Sequence, residues 1–306
     1  MGKNEIRRDA AGEVMSVLIR RLVKSDQDDV LEISKYTWDG HDYLGTVFDE
    51  WVNDPKCDFV GVEVEDRVVA VANLRLIEGG CTGWLEGLRV HPDFRQRGYA
   101  NEITAYLVAE GERLGVGRLR YTTSDRNVES LKIAAKAGFS RVLELAVYWA
   151  TGVKMSPPKR LHYVLEEAGP SVLYDLLRNN VDILPGGVLV YDWKALEFNL
   201  ESLEEIGKDH RFYVGMKNGK VDSLSFCHLR PDRKDQPWWS FTVYAHDSEG
   251  VLGQISHGVR IALEDGLNSA MITLEKRFEE VVGELEFGAD EQDISHLVML
   301  EKKIKT

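Results

Sequence analysis

The 306-residue sequence is poor in the residues that anchor disulfide-rich and zinc-binding proteins. It contains three cysteines, Cys57, Cys81 and Cys227, which are far apart and form no paired motif. This spacing argues against both a disulfide framework and a cysteine zinc site. We therefore expect no bound metal, and a reducing cytoplasm fits this cysteine usage.

Long apolar runs and an excess of positive charge are also missing. No stretch approaches the ~20 apolar residues that a membrane span requires, and residues 1–15 lack the apolar centre of a secretion signal. Acidic residues outnumber basic residues by 51 to 38, which gives a net charge of −13. The summed field repels nucleic acid and anionic membranes. We expect neither as a partner, and nothing in the sequence indicates an oligomer.

What the sequence does contain is a mixture of strand-like and helix-like segments. The text from Val17 reads as strand, helix, strand, hairpin, strand, helix, strand, helix and strand. Residues 59–77 alternate around Glu65-Asp66, which is typical of a hairpin. An apolar stripe with helical spacing begins near Ile103 and stops at Gly115. The pattern predicts an α/β fold of the α+β type, in which helices cover a mixed sheet.

The same pattern begins again after a proline-containing stretch. Pro157-Pro158 interrupts both helix and central strand, so we predict a linker at residues 153–160. A strong Asn218-Gly219 turn then lies inside a second hairpin-like segment. Together these features predict tandem copies of one fold. The predicted boundaries are a flexible tail at 1–15, a catalytic domain at 16–152 and a degenerate second domain at 161–306.

One strand of the first copy carries the leading catalytic candidate. Residues 83–90 alternate, and simple parity places Trp84, Glu86, Leu88 and Val90 on one face. A carboxylate among Trp84 and Leu88 would have a raised pKa and suit proton removal. Glu86 is therefore the candidate base, acting through water. The alternatives are a structural carboxylate paired with an arginine, or a group that binds the ammonium of an acceptor.

The stretch "HPDFRQRGYA" (residues 91–100) joins that strand to the next helix. A helix start presents unpaired backbone N–H groups and a positive dipole end, which together bind anions. Gly98 permits close backbone approach, and Arg95 and Arg97 add positive charge. An isolated R-x-x-G-x-A also fits a solvated basic turn, but the surrounding strand and helix favour a phosphate site. The Gly-Lys-Ser/Thr ending of a Walker loop and the G-x-G-x-x-G of a Rossmann fold are both missing.

The junction resembles the signature of the GCN5-related N-acetyltransferase superfamily, Gln/Arg-x-x-Gly-x-Gly/Ala, with Arg95, Gly98 and Ala100 at its defined positions. The resemblance covers about residues 16–150 and implies acetyl-CoA as the acetyl donor. Its pyrophosphate would bind the backbone of Arg95, Gln96, Arg97, Gly98, Tyr99 and Ala100. Its pantetheine arm would pair with the strand at Leu88, Arg89 and Val90, and Asn127 matches the pantetheine-contacting position.

The customary acid of that family is absent. Its tyrosine position aligns with Ala134. Three alternatives remain open at this level: another donor such as Tyr121 or Tyr148, a bound water, or direct loss of the thiolate.

The acceptor side is predicted at residues 36–55, where aromatic and charged residues surround a glycine. Candidate acceptor contacts are Trp38, His41, Asp42 and Tyr43. Aromatic residues in such a helix also serve as core. The segment "DGHDYL" with "EGLRV" resembles the subgroup that contains vertebrate histidine N-acetyltransferase, which carries a degenerate second domain. The resemblance implies a free amino acid such as histidine as acceptor.

The second copy lacks the charges for a phosphate site. Asp247 and Glu249 stand where arginines would be needed, and carboxylates at ~4–6 Å from a pyrophosphate repel it. The expected function is transfer of an acetyl group from acetyl-CoA to a small-molecule amine. Its alternatives are acetylation of a protein N-terminus or lysine, and a non-catalytic acyl-CoA-binding module.

Overall fold

The computed structural model describes residues 3–8, 14–37, 40, 42–153, 164–230, 238–283 and 291–304. These residues divide into two compact units, which are described separately. The first contains residues 1–121, 128–140 and 300–306, and the second contains residues 122–127 and 141–299. The predicted linker falls largely outside the described residues.

The first unit is built from the N-terminal strands and helices. In chain order they are β1 (Lys3–Arg8), β2 (Val14–Arg21), α1 (Gln27–Ser34), α2 (Leu44–Asn53), β3 (Cys57–Val64), β4 (Arg67–Ile77), β5 (Thr82–Val90), α3 (Tyr99–Leu114), β6 (Arg118–Ser124) and α4 (Val128–Ala137).

The second unit is built from the remaining elements. They are β7 (Ser140–Thr151), β8 (Leu165–Ala168), α5 (Pro170–Leu177), β9 (Val188–Tyr191), β10 (Lys194–Glu197), α6 (Leu200–Ile206), β11 (Arg211–Lys217), β12 (Lys220–Arg230), β13 (Trp238–Ala245), α7 (Ser248–Glu264), β14 (Ala270–Glu275), α8 (Glu279–Gly283) and β15 (Glu291–Lys303). The unit boundary falls inside β6 and β15, so residues 300–303 belong to the first unit.

The strands of the first unit follow chain order from β1 to β6. Neighbours from β1 to β5 are antiparallel, whereas β5 and β6 are parallel. The β3–β4 turn uses Glu65 and Asp66, both with positive φ (51° and 62°), as a two-residue hairpin requires. The predicted mixed sheet with helices is confirmed.

The second unit repeats this order of elements. Strands β11, β12 and β13 are successive antiparallel neighbours, and β13 pairs in parallel with β14 after the crossover helix α7. Asn218 and Gly219 form the β11–β12 turn with positive φ (53° and 75°). The predicted tandem arrangement is therefore present in the fold.

Strand β5 departs from simple alternation. Glu86 lies opposite Asn73 and Arg89 lies opposite Val71 on β4, so β5 contains one extra residue between them. This is a β-bulge, centred on Gly87 with a φ of +70°. Cross-strand partners share a face, so Glu86 shares its face with Arg89. The prediction that Leu88 and Val90 share that face was wrong, because parity counting does not see an inserted residue.

The bulge is covered by α2. A Cβ on Gly87 would lie 2.7 Å from Cζ3 of Trp51 and 3.3 Å from Cδ2 of Leu44. Trp51 is itself 2% exposed and packs with Phe48 and Phe59 in the core on this face. Two constraints therefore favour glycine at position 87: the left-handed backbone conformation and the close approach of α2.

The opposite face of the same sheet is covered by α3. Ile103 and Leu107 are buried as predicted, but Leu114 is 39% exposed. Gly111 brings α3 close to β6, since a Cβ there would lie 2.8 Å from Leu119. The helix ends at Gly115 in the left-handed conformation, as the sequence predicts.

Two observed boundaries differ from the predicted ones. Residues 3–8 form a strand paired with β2, although their charged sequence shows no apolar alternation and suggested a tail. Strand β7 pairs with β14 and lies in the second unit except for Ser140, whereas the predicted catalytic domain of residues 16–152 contains it. Backbone pairing with another strand, adjacent in the chain for β1 and distant for β7, decides both assignments.

A buried ion pair ties the last strand into the first unit. Nε and Nη2 of Arg120 each lie 2.7 Å from Oε2 of Glu301, and the side chains are 7% and 10% exposed. Taking both charges out of water is costly, so each depends on the other. Residues 181 positions apart are thereby coupled.

Replacing Glu301 should destabilise the first unit strongly. Glu301→Ala removes the carboxylate from a buried guanidinium, which costs about 3–5 kcal/mol. The free energy of unfolding in urea measures the loss. The double variant Arg120→Met with Glu301→Leu should be less destabilised than Glu301→Ala.

The control is the exposed Glu129 of α4, 80% exposed in its pair with Lys132. Glu129→Ala should change the free energy of unfolding by under about 1 kcal/mol. Equal effects of Glu301→Ala and Glu129→Ala would contradict a structural role for the buried pair.

Candidate functional site

The candidate site is organised by the second half of β5. Strand β6 pairs with β5 only at residues 82–84, so residues 85–90 pair with β4 alone. Within this half, the bulge at Gly87 further interrupts the ladder. A strand edge and a bulge together leave main-chain N–H and C=O groups directed away from the sheet. Such groups can pair with an extended ligand.

Glu86 lies at the start of the bulge and is held by two donors. Nδ2 of Asn73 donates to its Oε1 at 3.0 Å, and Nε of Arg75 donates to the same oxygen at 3.2 Å. The side chain is 15% exposed. Glu86 is thus paired with an arginine, as one sequence alternative proposed, and it remains accessible from one side. Its role as a base stays a prediction.

Asn73 and Arg75 were not predicted from the sequence. Asn73 is fully buried and also contacts Sγ of Cys57 at 3.5 Å. Arg75 donates further to Glu50 at 2.8 Å and Asp54 at 3.1 Å. The available signal was a polar residue at a buried position of an otherwise apolar strand, because such a residue needs a specific partner.

The acceptor-side residues Asp42 and Tyr43 lie close to the same strand. Nε and Nη2 of Arg89 donate to the two Asp42 oxygens at 2.7 and 3.2 Å, and the Asp42 side chain is 1% exposed. Cζ of Arg89 lies 5.6 Å from the centre of the Tyr43 ring. The structure therefore brings Glu86, Arg89, Asp42 and Tyr43 together around the bulge.

The other two predicted acceptor contacts are Trp38 and His41. Both lie outside the described residues. Arg89, predicted as a cofactor contact, directs its guanidinium toward Asp42 and, at 3.0 Å, the Leu88 carbonyl. Any cofactor contact of Arg89 would therefore involve its main chain. Leu88 and Val90 are half-buried on β5.

Tyr43 is a neutral phenol at physiological pH. Burial raises the pKa of its hydroxyl to about 12, with a smaller raising effect from Glu86 and Asp42. The nearby positive charge of Arg89 and a hydrogen bond from the Gly87 backbone act in the opposite direction. Its ring meets Trp51 edge-on at 6.0 Å.

The strand–helix junction has two left-handed residues immediately before α3. Gln96 has a φ of +61° and Gly98 a φ of +93°, and the helix begins at Tyr99. Successive N–H groups in such a turn, followed by a helix start, form a concave donor surface that suits phosphate oxygens. The geometry fits the predicted pyrophosphate site.

The side chains at this junction are arranged around that backbone. Arg95, Gln96 and Arg97 are exposed, with Arg95 donating to the Val90 carbonyl at 3.3 Å and Arg97 to the Asp93 carbonyl at 2.9 Å. Tyr99 is 2% exposed, so its side chain belongs to the core and its main chain alone can meet a ligand. Ala100 is small enough to leave the helix start open.

Asn127 lies in a short loop that is held within the second unit. Its N–H donates to the Ser124 carbonyl at 3.0 Å. The neighbouring Asp125 accepts at 2.9 Å from Nδ1 of His296, whose Nε2 lies 3.0 Å from Glu279. Both imidazole nitrogens face carboxylates, which favours the doubly protonated ring. The pKa of His296 is raised, mainly by Glu279.

The two tyrosines that the sequence offered as alternative acids, Tyr121 and Tyr148, have different surroundings. Ala134, at the customary acid position, is 1% exposed. The Tyr121 hydroxyl donates to the Ser130 carbonyl at 3.2 Å. Tyr148 is 3% exposed and packs in the apolar core of the second unit.

The corresponding junction of the second unit is occupied by its own side chain. Asp247 precedes α7, and its carboxylate accepts from the Gly250 N–H at 2.9 Å. This bond lowers the pKa of Asp247. Lys217 lies 3.2 Å from Asp247 and 3.3 Å from Glu249. The Asp247 carboxylate is therefore the anion that already binds the first turn of α7.

Among the described residues, no group of three or more histidine, cysteine, aspartate or glutamate side chains is arranged to hold a metal ion. In the same part of the chain, no helix combines the length and apolarity needed to cross a membrane.

One family model matches a continuous stretch of the N-terminal half of the chain. Residues 28–139 match the model of the Acetyltransferase (GNAT) family. This range includes the predicted site residues Glu86, 95–100 and Asn127, and also the bulge at Gly87.

Two curated relatives extend the match beyond that domain. Probable N-acetyltransferase 16 of Homo sapiens is 28% identical over 247 residues, covering 73% of this chain and 66% of that protein. Histidine N-acetyltransferase of Xenopus tropicalis is 23% identical over 192 residues, covering 56% of each. The chain thus spans 56 to 66% of the length of these two relatives.

A solved structure shares the tandem fold. The tandem GNAT protein from the clavulanic acid biosynthesis pathway is 13% identical, with a TM-score of 0.58 over 95% of this chain and 99% of that one. At this identity the likeness concerns the fold.

The stability of the second unit should depend on the protonation of His296. Because the pKa of His296 is raised in the folded state, its stabilising contribution is complete below the ordinary histidine pKa of about 6.5 and is lost as pH rises through the folded value. We expect the free energy of unfolding to fall with rising pH, and His296→Gln to flatten that dependence. Urea unfolding at a series of pH values measures both.

The control is His246→Gln, whose side chain is 40% exposed. This variant should keep the pH dependence of the unmodified chain. If His296→Gln also kept it, the two carboxylate contacts of His296 would not be charge-dependent.

Proposed function

We propose that this chain, which belongs to the GCN5-related N-acetyltransferase superfamily, transfers the acetyl group of acetyl-CoA to the amine of a small molecule. One observation carries the proposal: a carboxylate and a bulge lie on the strand that leads directly into the predicted pyrophosphate site. Glu86 and Gly87 are adjacent on β5, and the left-handed junction at Gln96 and Gly98 follows its end. Acetyl transfer needs a base beside a thioester held in this way.

The cofactor would bind along β5 and the start of α3. The N–H groups of residues 95–100 would donate hydrogen bonds to the pyrophosphate, and the edge of β5 at Leu88 and Val90 would hydrogen-bond the pantetheine arm. The main-chain N–H of Leu88 or Val90 would also donate to the thioester carbonyl, whose oxygen becomes negative in the transition state. Bound acetyl-CoA supplies the activated acetyl group.

Glu86 would remove a proton from the acceptor amine. Its carboxylate is held by Asn73 and Arg75 through one oxygen, Oε1. The carboxylate would accept the proton through a water. Asp42, Tyr43 and Arg89 would form one wall of the acceptor site.

A free amino acid such as histidine is the proposed acceptor class. Relatives named histidine N-acetyltransferase support this choice. An amino acid carries one ammonium and one carboxylate, and the charged groups near the bulge include both signs. The second unit would not bind acetyl-CoA, since Asp247 occupies the helix start that a pyrophosphate would need. We also propose a cytoplasmic location, where acetyl-CoA and amino acids are both present.

Activity is tested by incubating the protein with acetyl-CoA and pooled amines. The pool contains free amino acids, polyamines and peptides with free N-termini and lysines, and thiol release together with mass spectrometry identifies any acetylated amine. We expect acetylation of an amino acid. Preference for the peptides would indicate a protein acceptor, and acetyl-CoA binding without turnover on any amine would indicate a binding module.

Glu86→Gln serves as the variant for the chemical step in that assay. Removal of a general base lowers turnover by about 10²-fold or more, whereas the dissociation constant of acetyl-CoA should stay unchanged. An unaffected rate would remove Glu86 from the role of base.

Gly98→Ala should weaken the binding of acetyl-CoA. A side chain at a φ of +93° is strained, and its Cβ would lie 3.2 Å from Oε1 of Glu102, so the junction must shift. We expect affinity to fall by about tenfold or more, because each 1.4 kcal/mol of misalignment is a factor of ten. Isothermal titration with acetyl-CoA measures the change.

The matched control is Gly115→Ala at the other end of the same helix. Gly115 also has a positive φ (72°), but a Cβ there would meet nothing within 4 Å. It reproduces the backbone strain of a left-handed alanine without touching the junction. Equal affinities of the two variants for acetyl-CoA would contradict the pyrophosphate assignment.

A further inference from the structure

The bulge brings a tyrosine of the acceptor side against strand β5. Tyr43 directly precedes α2, the helix that covers Gly87 through Leu44 and Trp51. The Gly87 N–H donates a hydrogen bond to the Tyr43 hydroxyl, and the Trp51 ring meets the Tyr43 ring edge-on. The phenol is therefore fixed at the bulge from the helix and from the strand.

This placement matters because the chain otherwise lacks an acid at the expected position. Ala134 stands at that position and carries no ionisable group. The Tyr121 hydroxyl donates to a main-chain carbonyl, and Tyr148 lies in the apolar core of the second unit. Of these tyrosines, Tyr43 is the one held at the bulge next to Glu86.

Resting on the proposed acetyl transfer, we propose that Tyr43 is the general acid that protonates the departing sulfur of coenzyme A. The acceptor nitrogen forms a bond to the acetyl carbon, and the carbon–sulfur bond then breaks with its electron pair on sulfur. Tyr43 gives its hydroxyl proton to that sulfur, which leaves as the thiol. The proton that Glu86 takes from the amine returns through water to the Tyr43 oxygen, so no other reactant is consumed.

The surroundings of Tyr43 act on both of its protonation states. Burial keeps the phenol protonated at neutral pH, as an acid must be before the step. The Arg89 guanidinium, 5.6 Å from the ring centre, stabilises the phenolate that exists after the step. Arg89 is itself held by Asp42, so this positive charge is fixed in place.

Tyr43→Phe removes the proton and keeps the ring. In the assay with acetyl-CoA and the amine acetylated fastest by the unmodified protein, kcat should fall by about 10²-fold, the lower end for general acid catalysis, because a thiolate is a fairly good leaving group. The dissociation constant of acetyl-CoA should stay unchanged. The control is Tyr106→Phe on α3, a half-buried tyrosine outside the site, which should keep the kcat of the unmodified protein.

A change of leaving group separates an acid from a structural tyrosine. The selenoester analogue of acetyl-CoA releases a selenolate, a much weaker base that needs no proton at neutral pH. The loss of kcat in Tyr43→Phe should largely disappear with this donor. An equal loss with the thioester and the selenoester would overturn the proposal, since a structural defect affects both donors alike.

A second replacement covers the case in which Tyr43→Phe does not fold. A fluorinated tyrosine at position 43 keeps the hydroxyl and lowers its pKa. The kcat of this variant should fall at high pH, at a lower pH than in the unmodified protein. An unshifted profile would overturn the proposal.

The two hypotheses fail in different ways. If the unmodified protein releases no thiol with any amine, the proposed function fails and the role of Tyr43 fails with it. If the unmodified protein is active and Tyr43→Phe keeps its kcat, the acetyl transfer stands and only the role of Tyr43 is rejected.

Discussion

The β-bulge at Gly87 is the constraint on which the candidate site depends. It inserts one residue into β5, and it thereby places Glu86 and Arg89 on one face although three positions separate them. Only glycine combines the left-handed backbone with the close approach of Trp51 and Leu44. The helix over this face is consequently near enough for Tyr43 to reach the strand. Without the bulge, Arg89 would point to the opposite face, away from Asp42.

The charges around the bulge are arranged in pairs that keep one another in place. Arg75 joins Glu86 to α2 through Glu50 and Asp54, and Arg89 joins β5 to Asp42. Half-buried charges are stable when each has a partner and a hydrogen-bonded geometry. The same pairs fix the positions of the side chains, which a catalytic site requires to within a fraction of an ångström. Structural and functional roles of Glu86 are thus compatible.

The junction between a strand and the following helix differs between the two units. In the first, the strand–helix junction exposes a left-handed backbone and two arginines around the start of α3. In the second, the equivalent position holds Asp247, which caps α7 with its own carboxylate. A helix start is satisfied either by a side chain or by a ligand. The difference between the units therefore lies in a few residues rather than in the fold.

The sequence by itself determined the features that depend on neighbouring residues. The hairpins at Glu65-Asp66 and Asn218-Gly219, the end of α3 at Gly115 and the glycine junction at Gly98 follow from local backbone preferences, and Asp247 could be read as unsuited to phosphate. The tertiary structure decided what depends on pairing between distant segments. The extra residue in β5, the bonds of Asn73 and Arg75 to Glu86, the contact of Tyr43 with Gly87 and the buried pair of Arg120 with Glu301 all belong to this group. Strand register and side-chain pairing arise from contacts between residues far apart in the chain, and no local pattern encodes them.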